Sequence, residues 1–183
     1  MVGYIILAIV IVALVGFIIS KYNSLVRFRN NAQNAFAQIE THLQRRFDLI
    51  PNLVETVKGY QIHERDLLEH IAAYRSGFLG ASTNGEKLAI SNQLSTDLRS
   101  LLAVVENYPD LKANTNFLML QNELADTENK IVYARQFYND AVTIYNSSLQ
   151  IFPNNIIASV FNFTEETLYS SVPEAYEAPQ VRF

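Results

Sequence analysis

The first twenty residues of this chain form one uncharged, apolar segment. Its run from Val2 to Ile19 is broken only by two glycines and one tyrosine. Eighteen helical residues span about 27 Å at a rise of about 1.5 Å per residue, which is close to the thickness of a hydrocarbon core. The segment therefore predicts a transmembrane anchor over residues 1–20. Its membrane-spanning positions include Val2, Ile5, Ile9, Val12, Gly16 and Ile19.

A cleaved signal peptide is the alternative for such a segment. A signal needs a basic start, a shorter apolar region and a small-residue cleavage site. No Lys or Arg precedes the apolar run, and Phe17 to Ser20 is a poor cleavage site. The sequence thus favours an uncleaved anchor. The first positive charges, Lys21, Arg27 and Arg29, all follow the run, so the positive-inside rule places the bulk of the chain in the cytoplasm.

The composition of the rest of the chain is typical of a helical domain. Glycine and proline are few, at six and five residues, and there is no cysteine to form a disulfide framework. The net charge of −4 argues against a nucleic-acid partner. Residues 21–183 are enough to bury a core of their own. We therefore predict an all-α domain after the anchor.

The strongest periodicity lies in the last third of the chain. Residues on one stripe alternate between spacings of three and four, which is the signature of one helix face. This stripe predicts a helix over about residues 113–150: Phe117, Leu120, Leu124, Thr127, Ile131, Ala134, Tyr138, Ala141, Tyr145 and Ser148. A similar stripe follows the anchor: Leu25, Phe28, Ala32, Ala35, Phe36, Ile39, Leu43 and Ile50.

Prolines and a glycine-rich connector divide the helices from one another. Pro51 indicates a break or a kink, after which a second helix is predicted to reach about Tyr74. A connector over residues 76–85 precedes a third helix over residues 86–107. These helices predict an up-down-up-down four-helix bundle over residues 21–163. A long two-helix hairpin, kinked at its prolines, is the alternative, but the bundle buries more of the apolar stripes.

The C-terminal end begins with a short, strongly apolar segment. In the bundle this segment returns to the membrane end, where it either caps the core or rests on the bilayer interface. The candidate membrane-interface residues are Phe152, Ile156, Ile157, Val160, Phe161 and Phe163. Residues 164–183 hold prolines and several glutamates, and they are predicted to form a flexible tail.

A group of polar residues interrupts the apolar stripes. Arg46 follows Ile39 by seven residues and precedes Leu53 by seven, so it falls on the buried face. We predict a partly buried polar layer in which an Arg–Glu pair fixes the helix register. Its candidate members are Arg45, Arg46, Asp48, Glu123, Thr127 and Glu128. In the alternative, the guanidinium of Arg46 extends to solvent and Glu128 is solvated.

No motif provides a place for catalysis. His63 and His70 are seven residues apart, which is not the one-turn spacing of a zinc-binding helix. A phosphate-binding loop and a nucleophile elbow are both missing from the sequence. The repeated pairs Tyr138-Asn139 and Tyr145-Asn146 are interpreted as amphipathic packing. We therefore predict no catalytic residue, no metal and no cofactor.

A series of motifs over nearly the whole chain resembles the LemA family. They are RRFDLIPNLVETVKGY at 45–60, HER at 63–65, YPDLKAN at 108–114, LQNEL at 120–124, TEN at 127–129, YN at 138 and 145, and PQVRF at 179–183. The resemblance implies a bacterial, membrane-anchored protein whose soluble part is an antiparallel four-helix bundle. It implies no established enzymatic activity, and some relatives are linked to organising membrane compartments. Phe47 departs from the family, which usually has a polar residue there.

Together these features predict a non-enzymatic scaffold in the bacterial inner membrane. The single anchor would hold the bundle at the cytoplasmic face, and the bundle would self-assemble and organise or remodel the membrane. Its partners would be the bilayer, further copies of itself and another membrane or envelope protein. The alternative is a monomeric, membrane-tethered adaptor or sensor that binds another envelope or signalling protein.

Overall fold

A computed structural model describes residues 1–60 and 64–169, and every regular element within them is a helix. This confirms the predicted all-α class. The helices of these residues are α1 (Val2–Lys58), α2 (Arg65–Gly80), α3 (Asn84–Val105), α4 (Pro109–Lys112), α5 (Thr115–Gln150) and α6 (Asn154–Val160).

The first part of α1 is long and apolar enough to cross a membrane, and none of the side chains in that window is buried. All six predicted membrane-spanning positions lie in this part of α1 and are exposed. A water-facing helix with such a surface would be unstable, whereas lipid would cover it.

α1 continues through Pro51 and ends at Lys58. The predicted second helix, running on to about Tyr74, is therefore wrong, because α2 begins only at Arg65. Pro51 removes one backbone hydrogen bond from an exposed position of α1. The neighbouring side chains of Phe47, Ile50, Leu53 and Val54 are buried, and their packing keeps the segment helical.

The described residues divide into two compact units. Unit 1 comprises residues 1–38 and 133–169, and unit 2 comprises residues 39–60 and 64–132. The core of unit 2 draws on α1, α2, α3, α4 and α5. Its fully buried apolar side chains are Ile39, Leu43, Phe47, Ile50, Leu53, Val57, Ile71, Leu94, Leu101, Leu111, Phe117 and Ile131.

Unit 1 has a smaller core at the point where α6 meets the two long helices. Leu25 of α1, Tyr145 and Leu149 of α5, and Ile157 and Ala158 of α6 form one buried cluster. Phe28 and Phe163 pack against this cluster and are partly buried. The spacing of three and four in both stripes is what brings these side chains to the same face.

The YPDLKAN motif ends one helix pair and starts α5. Pro109 occupies the first turn of α4, where its missing N–H is not needed, and Leu111 is buried. Asn114 Oδ1 accepts a hydrogen bond from the backbone N–H of Phe117 at 2.9 Å, and its Nδ2 donates to the Tyr60 hydroxyl at 2.7 Å. Asn114 thus caps α5 and ties it to the end of α1.

α3 begins with a capping box. Thr83 Oγ1 accepts from the backbone N–H of Glu86 at 3.2 Å, and the Glu86 carboxylate accepts from the backbone N–H of Thr83 at 3.1 Å. Thr83→Ala is expected to lower the free energy of unfolding by about 1 kcal/mol in a urea titration, because the N-terminal donors of α3 lose an acceptor. Thr96→Ala, inside the same helix, should be close to neutral, and equal losses in the two variants would contradict the role of the cap.

Candidate functional site

The most deeply buried charged side chain in the described residues is that of Arg46. Its side chain is 3% exposed, and its Nη1 lies 2.9 Å from Glu128 Oε2 and 3.4 Å from Ser91 Oγ. The Glu128 side chain is 33% exposed, so one end of the pair reaches solvent. α1, α3 and α5 therefore meet at one charged contact within unit 2.

The other predicted members of the polar layer differ in how deeply they are buried and in which residues they contact. Arg45 Nη2 reaches Glu123 Oε2 at 2.7 Å, but both side chains are about half exposed. Thr127 is fully buried, and its hydroxyl donates to the Glu123 carbonyl oxygen at 2.7 Å. Asp48 is exposed and accepts from Gln44 at 3.0 Å, so it stands apart from the buried pair.

A largely apolar cavity of about 210 Å³ adjoins the buried pair. Its apolar lining includes Leu53, Leu98, Phe117 and Leu124, and both Arg46 and Glu128 are among its polar lining residues. A void already present beside Arg46 means that truncating this side chain would enlarge it.

The described residues hold no group of three or more side chains that could bind a metal ion. His63 lies outside the described residues, so the structure does not bear on the His63–His70 spacing. Phe47 is fully buried and stacks on Phe78 with ring centroids 4.3 Å apart. Its position is thus part of the core of unit 2.

Two asparagines of α5 hold the chain that follows α6. Asn146 donates to the Glu166 carbonyl oxygen at 2.8 Å and accepts from the Glu166 N–H at 3.0 Å. Asn139 makes the same two bonds with Tyr169, at 3.0 and 2.8 Å. Each side-chain amide therefore pairs with both backbone groups of one residue, as a neighbouring strand would. We call residues 164–169 the strap.

The spacing of these contacts shows that the strap is extended and antiparallel to α5. Asn146 lies seven positions after Asn139, which corresponds to a rise of about 10.5 Å along the helix axis. Tyr169 lies three positions after Glu166, and a rise of three positions in an extended chain is also about 10 Å. A heptad repeat on a helix therefore matches a three-residue repeat on an extended chain.

The tyrosine that precedes each asparagine adds a second row of bonds. Tyr145 donates its hydroxyl to the Thr164 carbonyl oxygen at 2.9 Å, and Tyr138 donates to that of Thr167 at 2.8 Å. Burial raises the pKa of both phenols, and the nearby Glu166 carboxylate acts in the same direction. Both hydroxyls therefore stay protonated as donors at neutral pH, and this stabilisation is lost only as the pH rises through their raised pKa values.

The two Tyr-Asn pairs do more than the amphipathic packing that the sequence predicted for them. The rings of Tyr138 and Tyr145 are buried, but the asparagines bind the strap. The sequence placed residues 164–169 in a flexible tail, whereas these six residues are hydrogen-bonded along α5; the remainder of that tail lies outside the described residues. In the sequence, the Tyr-Asn pair that recurs after seven residues on α5 was the one sign that an extended segment binds along this helix.

An exposed apolar row runs along α5 in unit 1 and ends at Ile151, the residue directly after the helix; the apolar stripes read from the sequence did not include it. Its side chains are all more than half exposed, and the last three are spaced by seven residues. We call Tyr133, Phe137, Ile144 and Ile151 the assembly stripe. Beyond the anchor, from residue 27 to residue 38, the exposed positions of α1 in the same unit are polar except for Ala37: Arg27, Asn30, Asn31, Gln33, Asn34 and Gln38.

The six candidate membrane-interface residues fall into two groups. Ile157 is buried in the core of unit 1, and Phe163 is partly buried against it. The other four, at about half exposure or more, form what we call the membrane patch: Phe152, Ile156, Val160 and Phe161. The apolar segment thus both caps the core and exposes an apolar surface.

Comparison with known proteins gives matches over most of the chain. A sequence profile described as the LemA family matches residues 35–183. Protein LemA of Metamycoplasma hominis is 25% identical over 154 residues, covering 84% of this chain and 70% of that protein. Magnetosome protein MamQ 2 of Paramagnetospirillum magneticum is 23% identical, with 89% and 70% covered. Magnetosome protein MamQ of Magnetospirillum gryphiswaldense is 24% identical, with 91% and 72% covered.

These similarities, with the apolar start of α1, indicate a membrane-anchored, helical, bacterial protein. None of the three relatives' names denotes an enzyme.

Proposed function

This chain belongs to the LemA family, and from that premise we propose that it is a non-enzymatic scaffold whose copies assemble side by side in the membrane. The family predicted from the motifs is confirmed by the profile match. We further propose that unit 2 is an antiparallel four-helix bundle, held at the cytoplasmic face of the inner membrane. The assembled copies would organise or remodel the bilayer around their anchors.

The assembly stripe is the observation that carries this proposal. Isolated exposed apolar side chains are ordinary, but apolar side chains seven residues apart on one helix, as Phe137 and Ile144 are on α5, match the repeat by which helices pair. The exposed face of α1 over residues 27–38 of the same unit is mostly polar and has no such row. A second copy of this chain is the occupant that we propose for the stripe.

Anchorage in a common bilayer explains why a second copy fits. Two copies with the same topology stand parallel, related by an axis along the membrane normal. Phe137, Ile144 and Ile151 of one copy then lie at the same heights as their counterparts in the other. In two parallel helices, side chains that repeat every seven residues on one helix can pack against the same repeat on the other.

The expected contact is weak in solution and stronger in the membrane. Four side chains per copy bury less than the roughly 1,000 Å² of a typical stable interface. Confinement of the anchors to a bilayer raises the effective concentration of the copies, so that a weak contact becomes populated. Asp140, exposed between Phe137 and Ile144, limits the affinity because parallel pairing brings two carboxylates together.

Charge placed on the stripe tests the proposal. Phe137→Asp combined with Ile144→Asp is expected to weaken self-association of the full-length chain in lipid vesicles at least about tenfold, because two charges would enter an apolar contact. Self-association would be measured by energy transfer between labelled copies at varied protein-to-lipid ratios. Asp140→Asn should strengthen it, since the repulsion between parallel copies is removed.

Asn30→Asp with Asn34→Asp is the matched control, because it adds the same two charges to the exposed polar face of α1 in the same unit. This control should associate nearly as well as the unaltered chain, less a small loss from added net charge. Association that survives the stripe variant, or falls equally in both variants, would contradict the proposed role of the stripe. A chain that is monomeric throughout would instead support the tethered adaptor.

A further inference from the structure

We propose that α6 is a second membrane contact, and that the membrane patch enters the interfacial layer of the bilayer that α1 crosses. The partner is the lipid surface itself. This inference rests on the membrane anchorage in the proposed function, but it does not depend on self-assembly.

The position of α6 beside the end of the anchor supports the proposal. Tyr22 lies three residues after Ile19, the last residue of the apolar run, which is about 4.5 Å further along α1. Its ring lies 4.9 Å from that of Phe161 and 5.5 Å from that of Phe163, measured between centroids. The segment following α6 therefore touches α1 just where α1 leaves the hydrocarbon core.

The buried side of α6 fixes which side faces away from the protein. Ile157 and Ala158 enter the core of unit 1 with Leu25, Tyr145 and Leu149. Ile156 and Val160, one helical turn apart, are exposed on α6, and Phe152 and Phe161 are exposed at its two ends. An apolar face that is fixed next to a membrane anchor is continuous with the surface that lipid already covers.

The charge pattern around α6 matches an interfacial location. No Asp, Glu, Lys or Arg occurs from residue 141 to residue 164, so no charge has to be desolvated when the patch enters the interface. The polar residues of α6 are uncharged asparagines and one serine. Because α6 itself has no basic residue, entry of the membrane patch is driven by its apolar side chains and does not require anionic lipid, unlike that of a basic amphipathic helix.

Tryptophan fluorescence can locate the patch, because the chain contains no tryptophan. The full-length Val160→Trp variant would be reconstituted at one copy per phosphatidylcholine nanodisc, with spin-labelled lipids that quench near the headgroup. We expect a blue-shifted emission and quenching at least about twofold stronger than in the control variant. Replacing part of the lipid with phosphatidylglycerol should leave the quenching unchanged.

Gln33→Trp is the control, because position 33 is exposed in the same unit but lies fourteen residues beyond Ile19, about 21 Å along α1. Circular dichroism would verify the fold, and Phe161→Trp replaces Val160→Trp if that variant misfolds. Quenching equal to the control in a folded variant would overturn the proposal. Because each nanodisc holds one copy, failure of self-assembly leaves this result unaffected.

Discussion

Replacing Arg46 with alanine is expected to lower the free energy of unfolding by about 3 kcal/mol, at the lower end of the range for breaking a buried ion pair. The guanidinium is almost fully buried, and its removal leaves the Glu128 carboxylate without its partner at 2.9 Å. The adjoining cavity of about 210 Å³ would also grow. The value falls at the lower end because Glu128 is 33% exposed, so water recovers part of the loss. Urea unfolding of the full-length chain in mild detergent, followed by circular dichroism, measures it.

The neighbouring arginine provides a matched control. Arg45 also pairs with a glutamate of α5, but both side chains of that pair are about half exposed. Arg45→Ala should leave the unfolding midpoint nearly unchanged, because solvent screens such pairs. Arg46→Met combined with Glu128→Leu should restore the stability lost in Arg46→Ala, since apolar side chains of similar volume replace both charges. Equal effects of Arg45→Ala and Arg46→Ala would contradict this account of the buried pair.

Combining Asn139→Ala with Asn146→Ala is expected to release the strap. Four hydrogen bonds to the backbone of Glu166 and Tyr169 are lost, at about 1 kcal/mol each before the remaining contacts adjust. A net loss of about 3 kcal/mol corresponds to a fall of about 100-fold in protection from hydrogen exchange. The amide protons of Glu166 and Tyr169 report it directly, because they donate to the two asparagines.

The control for the strap is Asn129→Ala, an exposed asparagine of the same helix. It should leave exchange at Glu166 and Tyr169 unchanged. Unaltered protection in the double variant would show that the tyrosine hydroxyls and the packing of Tyr169 hold the strap by themselves.

Helical periodicity predicted most of what the described helices bury. Leu25, Ala32, Ile39, Leu43 and Ile50 were all expected on one face, and all are buried. Such predictions succeed because the burial of an apolar stripe depends on spacing alone. The same periodic stripe predicted a helix over about residues 113–150, and α5 extends from Thr115 to Gln150.

Features that depend on contacts between distant segments were predicted less well. Pro51 indicated either a break or a kink, and the helix continues through it because the packing of its buried neighbours outweighs the loss of one hydrogen bond. The strap has few apolar side chains, and its order comes from side-chain amides on α5, thirty residues away for Tyr169. The sequence of the strap itself does not indicate these partners, although the repeated Tyr-Asn pair on α5 was a signal for them. For Arg46, the sequence indicated either a buried pair with a glutamate of α5 or a side chain that extends to solvent, because a charge on an apolar stripe needs a partner or water.

The sequence did not predict the assembly stripe, for a different reason. Phe137 and Ile144 lie on α5 outside the buried stripe, each directly before one of its tyrosines, and the sequence alone does not show whether other parts of the protein cover them. Only the burial pattern of the described residues shows that, among them, none covers this side of α5.

The mass of the full-length chain in mild detergent, measured by light scattering, tests the central claim most directly. One copy has a mass of 20.8 kDa. Self-assembly predicts that the average protein mass rises above this value as the protein is concentrated in detergent, and that it stays close to one copy in the Phe137→Asp, Ile144→Asp variant. A mass of one copy at every concentration, together with no energy transfer between copies in vesicles, would contradict it.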